Sequence, residues 1–262
     1  MMEKEYLSLD QVKNCELNIL LYVDRICKEH NLRYYLSFGT LIGAIRHKGF
    51  IPWDDDIDIS MPREDYEKLI AIAESFLNQR YKILSYKTKD YPYPFIKVVD
   101  SCTRIEDDGV VNYPHKGLWI DIFPIDGFES SKRPLVSKFT IYIERLRSLA
   151  SYRDLPSKHK KYALMWCVAR IIGYRFFQLI IEKISKNRGF DYYDYSGCLY
   201  APLKIMPKSV YGQGRFAEFE GHIFPVPSEF DLFLKEVYGD YMKLPPKEEQ
   251  VSHFVKAYFV ND

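Results

Sequence analysis

No Cys-x-x-Cys pair occurs among the five cysteines, which stand apart at positions 15, 27, 102, 167 and 198. Disulfide frameworks and zinc knuckles need paired spacing, so the pattern predicts neither and fits a reducing compartment. An excess of one charge is lacking too: 37 basic residues meet 36 acidic ones, a formal net charge of +1. Duplex binding rests on concentrated positive charge, so a nucleic-acid polymer is not the expected partner. The opening residues, Met1-Met2-Glu3-Lys4-Glu5, have neither the basic flank nor the apolar run of a signal peptide. The expected location is the cytoplasm. No internal repeat or low-complexity tract interrupts the chain.

What the sequence does have is material for a core. Hydrophobic residues make up 47% of the 262, enough for one large domain or two small ones and too many for global disorder. Ser8-Leu9-Asp10-Gln11 reads as a capping box, and Val12, Cys15, Ile19, Leu20, Val23 and Ile26 follow at helical spacing to about Asn31. A short strand is expected at 34–38, a Gly39-Thr40 turn, then a brief helix at 41–47. A strand at 57–61 leads into a helix opened by Pro62 and running to Leu77, with further strands at 81–86, 95–99 and 118–123. The texture changes after Pro124-Ile125-Asp126-Gly127. From Pro134 to about Lys186 the chain reads as helical, broken near Pro156. A strand or hairpin is expected at 216–226, then a helix capped by Ser228 and ended by Gly239. The fold class is therefore α/β (α+β): a mixed β-sheet flanked by helices over residues 1–130, and a mainly helical region over 131–262 packed on it.

Residues 162–181 are about as long as a bilayer span, but Arg170 and Arg175 lie inside the stretch. Each would cost roughly 2.5–3.5 kcal/mol near mid-bilayer, which argues against spanning. A core helix is one expectation. The other is a helix lying on the inner membrane face, its arginines at anionic head groups and Trp166, Phe176 and Phe177 at the acyl boundary.

The chemistry concentrates in Trp53-Asp54-Asp55-Asp56-Ile57-Asp58-Ile59. On a strand, residues two apart share a face, so Asp56 and Asp58 are expected to project together. Neighbouring carboxylates repel unless a cation sits between them. Mg²⁺ takes hard oxygen ligands and leaves places open for phosphate oxygens, with Mn²⁺ as the alternative ion. Asp121, within Trp119-Ile120-Asp121-Ile122-Phe123, is a third carboxylate on an apolar strand, costly there unless paired or ligated. Asp54 is a candidate for supporting the ligands from outside. Arg46 is a candidate for bidentate phosphate pairing. Trp53 suits stacking or packing, and His47 and His253 are candidates for proton transfer or plain structural residues.

The run Gly39-Thr40-Leu41-Ile42-Gly43-Ala44-Ile45-Arg46-His47-Lys48-Gly49-Phe50-Ile51-Pro52-Trp53-Asp54-Asp55-Asp56-Ile57-Asp58 closely resembles the signature of the LicD family of phosphocholine transferases. That family shares motifs with the eukaryotic fukutin-related proteins. Met61-Pro62-Arg63-Glu64-Asp65-Tyr66-Glu67-Lys68 continues the likeness. So do the block at 117–127 and the stretch from Phe224-Pro225-Val226-Pro227 through Tyr238-Gly239-Asp240-Tyr241. It is weakest over 130–201.

The resemblance implies a nucleotidyltransferase-type core, with Gly39 and Thr40 cradling nucleotide phosphates and Asp56, Asp58 and Asp121 binding metal. A helix N-terminus suits phosphate through its free N–H groups. The resemblance also brings Lys97 into the site, and implies CDP-choline, or another CDP-alcohol, as donor. The implied acceptor is a sugar hydroxyl of a glycan or lipid-linked oligosaccharide, as in teichoic acid or lipopolysaccharide. Two alternatives stand beside it: a nucleotidyltransferase acting on a small acceptor, and a non-catalytic relative that binds glycan or nucleotide.

Overall fold

The structure is a computed structural model that describes residues 5–76, 80–106, 109–250 and 256–260. The first helix, α1 (Leu9–Glu29), starts as its capping box requires: Ser8 Oγ accepts from Gln11 N, and the Gln11 side chain accepts from Ser8 N. It is followed by β1 (Tyr35–Leu36), α2 (Phe38–Arg46), β2 (Asp58–Pro62) and α3 (Arg63–Ile72). Next come β3 (Tyr81–Leu84), β4 (Ile96–Asp100), β5 (Thr103–Ile105) and the long β6 (Trp119–Phe128). Three helices follow, α4 (Leu135–Ser151), α5 (Ala163–Ile172) and α6 (Tyr174–Ser185). The chain then forms β7 (Tyr195–Gly197), β8 (Met206–Pro207), the hairpin β9 (Arg215–Phe219) and β10 (His222–Val226), α7 (Phe230–Tyr238) and β11 (Ala257–Phe259).

The architecture is mixed α/β. Five strands of the main sheet run in the order β1-β2-β6-β4-β3, and β7 and β8 extend it from the far end of β6. The β2–β6 pair is parallel and the other pairings are antiparallel. Strand periodicity puts Ile59, Ile96, Val98, Ile120 and Ile122 on one face, where they share a core with Ile19, Leu20 and Val23 of α1. Phe219, Phe224, Phe233 and Leu234 from the second half of the chain belong to that same core.

Strand β6 runs through the expected change of texture at Pro124. A proline lacks the N–H a ladder needs, yet Pro124 falls where pairing with β4 has ended at Ile122 and pairing with β7 has not begun at Asp126. Asp126 is fully buried. It takes Arg63 Nε at 2.7 Å on Oδ1 and Leu199 N at 2.8 Å on Oδ2, tying the start of α3 to the second half. Helices α4 to α6 form a lobe around Ile143, Ala150, Ala169, Phe177 and Ile181. The chain leaves and re-enters the sheet at adjacent points, since Gly127 N donates to Arg188 O at 2.9 Å.

Several element boundaries differ from expectation. The helix begun after Pro62 is α-helical only to Ile72, with a tighter turn to Phe76, and Leu77 lies outside the described residues. The stretch 162–181 is not one helix. Gly173, at φ 88°, breaks it, and the helical segments either side are bent by 80°. Ser228 does not cap α7, whose first flanking residue is Glu229; the Ser228 hydroxyl accepts from Gly214 N instead. Gly239 ends α7 at φ 71°, as expected.

Candidate active site

Three charged side chains form a row across the sheet. Asp58 on β2 is in register with Asp121 on β6, and Asp121 is in register with Lys97 on β4. Adjacent strands lie about 4.8 Å apart, so the row is compact. Its residues face away from the isoleucine core. The Lys97 ammonium sits 2.7 Å from Asp121 Oδ1. It also lies 4.0 Å from the Trp119 ring centre, 4.8 Å from Tyr93 and 5.4 Å from Phe95. Lysine is buried only with such compensation, and Lys97 is 4% exposed. Half-buried Phe123 sits between Phe95, at 4.7 Å, and Phe38, at 5.3 Å. The carboxylates are thus flanked by aromatic surface.

Helix α2 is sewn to β2 at the same end. Ser37 N donates to Asp58 O at 3.0 Å, Asp58 N donates to Thr40 Oγ1 at 2.8 Å, and the Ser37 and Ser60 hydroxyls are 2.6 Å apart. These bonds start the helix at Phe38, so Gly39 and Thr40 lie in its first turn and not in a turn before it. Ser37 gives no side-chain cap, which leaves the first N–H groups of α2 available to an anion beside Asp58. A Cβ on Gly39 would stand 2.7 Å from Asp54 Oδ2, so glycine permits the close approach of that carboxylate.

Asp56 departs from the expected placement. It precedes β2, which begins at Asp58, so strand alternation is not what sets its direction. Proximity remains: the Asp58 carboxyl is pushed well above its ordinary range, first by burial and then by the charges of Asp56 and Asp121. Asp121 is also raised by burial, against the lowering pull of Lys97 and a hydrogen bond from Trp119. Arg46 is not brought to this cluster. It sits at the other end of α2, about 9 Å along the axis from Thr40, where its guanidinium donates to Tyr241 O at 2.6 Å and to His47 Nε2 at 2.9 Å. Trp53 packs against the main core. His253 lies outside the described residues.

Two participants were missed at the sequence level. Glu16 of α1 is buried, and its Oε2 has no hydrogen-bond partner among the described residues. Its carboxyl is held well above the ordinary range by burial first, then by Asp56, Asp55, Asp121 and Asp58. The available signal was a glutamate four residues after Val12, on the apolar stripe of the helix. Tyr238, at the end of α7, is raised by desolvation and by Asp58, Asp54 and Asp56. Its one signal in the sequence was its place in the Tyr238-Gly239-Asp240-Tyr241 run that shares the family likeness.

The sign of the Glu16 effect is fixed by linkage. A carboxyl kept neutral in the fold but ionised when unfolded stabilises least at high pH. Stability therefore falls as pH rises from 4.5 toward the folded value. With metal chelated, Glu16→Gln is expected to flatten the fall in melting temperature between about pH 5 and about pH 8. Identical slopes in thermal melts of the two proteins would show that Glu16 is not held neutral.

Residues 31–134 match the family model described as LicD/FKTN/FKRP, nucleotidyltransferase domain. Over nearly its whole length the chain is similar to the lipopolysaccharide cholinephosphotransferase LicD of Haemophilus influenzae. The two are 32% identical over 261 residues, covering 93% of this chain and 95% of that one. The chain belongs to the LicD family. A shorter likeness links it to the human ribitol 5-phosphate transferase FKRP, 43% identical over 44 residues, 17% of this chain and 9% of that one. Another links it to mannosyltransferase regulator 4 of Saccharomyces cerevisiae, 28% identical over 156 residues, 54% of this chain and 13% of that one. The LicD match at 31–134 contains α2, β2, β4 and the whole of β6, so the charged row lies wholly inside it.

Proposed function

We propose that this LicD protein transfers phosphocholine from CDP-choline to a sugar hydroxyl of a cell-surface glycan precursor, releasing CMP. The supporting observation is the Asp58–Asp121–Lys97 row, set beside an uncapped helix N-terminus and bordered by the aromatic rings of Phe38, Phe95 and Phe123. Pyrophosphate suits the helix end, and a quaternary ammonium suits aromatic faces.

Among the described residues, no three acidic, histidine or cysteine side chains stand as a ready-made metal cage. The donor set nevertheless fits Mg²⁺, which is commonly held by one or two carboxylates and completed by water and substrate phosphates. Asp58 and Asp56 would hold it, with Asp121 beside them. When bound, the ion would supply charge that offsets the developing negative charge on the departing CMP.

The chain's own residues do the rest in this reading. The free N–H groups of α2 orient the pyrophosphate, and Gly39 keeps the backbone close to Asp54. Lys97 and Trp119 hold the Asp121 carboxylate in place, and that carboxylate accepts the proton of the attacking hydroxyl. The half-buried rings limit water at the reacting phosphorus. The cytoplasmic location expected from the sequence suits a soluble CDP-linked donor.

Incubating the protein with CDP-choline, Mg²⁺ and a glycan acceptor should release CMP in step with choline incorporation. Pyrophosphate release from a nucleoside triphosphate, with no CMP formed, would instead establish nucleotidyl transfer.

A further inference from the structure

Helix α5 has the sequence Ala-Leu-Met-Trp-Cys-Val-Ala-Arg-Ile-Ile, yet Ala169 is its one buried residue. An apolar helix normally hides in a core or meets lipid. Here Leu164 is 81% exposed and Ile171 86%, and beyond the Gly173 bend Leu179 on α6 is 63% exposed. The exposed surface continues onto α4 through Leu135, Phe139 and Tyr142. Between the three helices lies an apolar groove of about 360 Å³, lined by Tyr142, Leu146, Leu164, Val168, Ile172 and Phe177. A second hollow of about 500 Å³ adjoins it, sharing Tyr142 and Met165, and is lined by Glu144, Arg145, His159 and Tyr162. An apolar groove opening beside a hollow with polar groups at its wall suits the two ends of an amphiphile.

Charge decides the occupant. Residues 157–186 contain seven lysines and arginines and a single acidic residue, Glu182, while the rest of the chain has an excess of acidic residues. A second copy of the chain would bring the same positive charge to the interface. An anionic lipid surface complements it.

We infer that the α4–α6 lobe seats on an anionic bilayer, with α5 in the interfacial plane, acyl chains meeting its outer face and the groove, and head groups meeting Lys160, Lys161 and Arg145. Among the described residues no single helix is long and apolar enough to cross a membrane, and the pair His159–Ile172 and Tyr174–Tyr192 is so only when taken together across its 80° bend. The arginines Arg170 and Arg175 inside that pair favour a place on the surface. The cations differ from those the sequence suggested. Arg170 donates to Arg153 O and stacks on Trp166, Arg175 is 4.0 Å from Asp90, and Phe177 packs inward. The inference rests on the lobe alone and is independent of the reaction proposed above.

Flotation with phosphatidylglycerol-containing vesicles, compared with pure phosphatidylcholine, tests it without any activity measurement. Binding should require the anionic lipid and weaken as salt rises. The exposed pair Leu164→Glu and Ile171→Glu should weaken binding at least roughly tenfold. Lys160→Gln and Lys161→Gln should each weaken it about fivefold and blunt the salt dependence. Circular dichroism and melting temperature of these surface variants should match the unmodified protein. The inference is overturned if the protein ignores anionic vesicles at low salt. It is equally overturned if sedimentation shows a dimer that Ile171→Glu dissolves while lipid binding is absent.

Discussion

Asp58→Ala is expected to lower phosphocholine transfer by roughly 10³-fold or more, while the folded protein melts no lower than the parent. The two halves of that expectation come from the same geometry. Asp58 shares its space with Asp56 and Asp121, and its carboxyl is held above the ordinary range by burial and by their charge. Removing it relieves repulsion, and its half-buried position leaves no sealed cavity behind. The backbone anchor survives, because Thr40 Oγ1 accepts from Asp58 N and not from the side chain. In the proposed reaction the variant would lack a hard oxygen ligand for the ion that offsets the charge of the pyrophosphate. Calorimetry with Mg²⁺ in the presence of CDP-choline should show metal uptake largely gone. Full turnover of the variant at saturating Mg²⁺ would remove Asp58 from the mechanism.

Asp121→Asn separates binding from chemistry. The amide keeps an oxygen for Lys97 and for the Trp119 hydrogen bond but is a poor proton acceptor. Removing a partner from a buried ion pair typically costs about 3–5 kcal/mol. Here the loss is cushioned, since Lys97 retains the faces of Trp119, Tyr93 and Phe95, worth up to about 2 kcal/mol for a desolvated contact. The fold should survive. Affinity for CDP-choline should stay within about tenfold, roughly 1.4 kcal/mol, while turnover collapses. Equal losses of binding and turnover, read from equilibrium titration beside steady-state rates, would make Asp121 a binding residue only.

The parts of this site that were legible in the sequence are those governed by local rules. Period-two alternation placed Asp58 and Asp121 opposite their isoleucines, and the capping box at Ser8 fixed the start of α1. The hairpin at 215–226 and the glycine stop at 239 follow from turn and cap chemistry in the same way. What escaped depends on contacts distant in sequence. Strand alternation does not reach Asp56, and nothing local says that β2 begins only at Asp58, where pairing with Asp121 starts, with Leu36 joining at Ile59. The helix after Ser37 starts three residues early because bonds to β2 recruit Phe38 and Gly39. Ser228 carries every mark of a cap, yet its hydroxyl is claimed by Gly214, fourteen residues back. Arg46 could not be excluded from the phosphate site without knowing that Tyr241 supplies its acceptor.

The bond between Gly127 N and Arg188 O carries a consequence for how such a protein varies. A segment whose two ends are clamped together adds little loop-closure entropy as it lengthens, only about 0.6 kcal/mol per doubling. The helical lobe between those clamps can therefore change length at little entropic cost, while Arg147 and Gln178, which donate to Pro92 O and Tyr93 O, keep it fastened to the segment that leads into β4. The excursion closed in this way contains α4, α5 and α6. A change in its length is inexpensive in folding terms, so the size of this one excursion is the dimension of the fold that the paired strands constrain least.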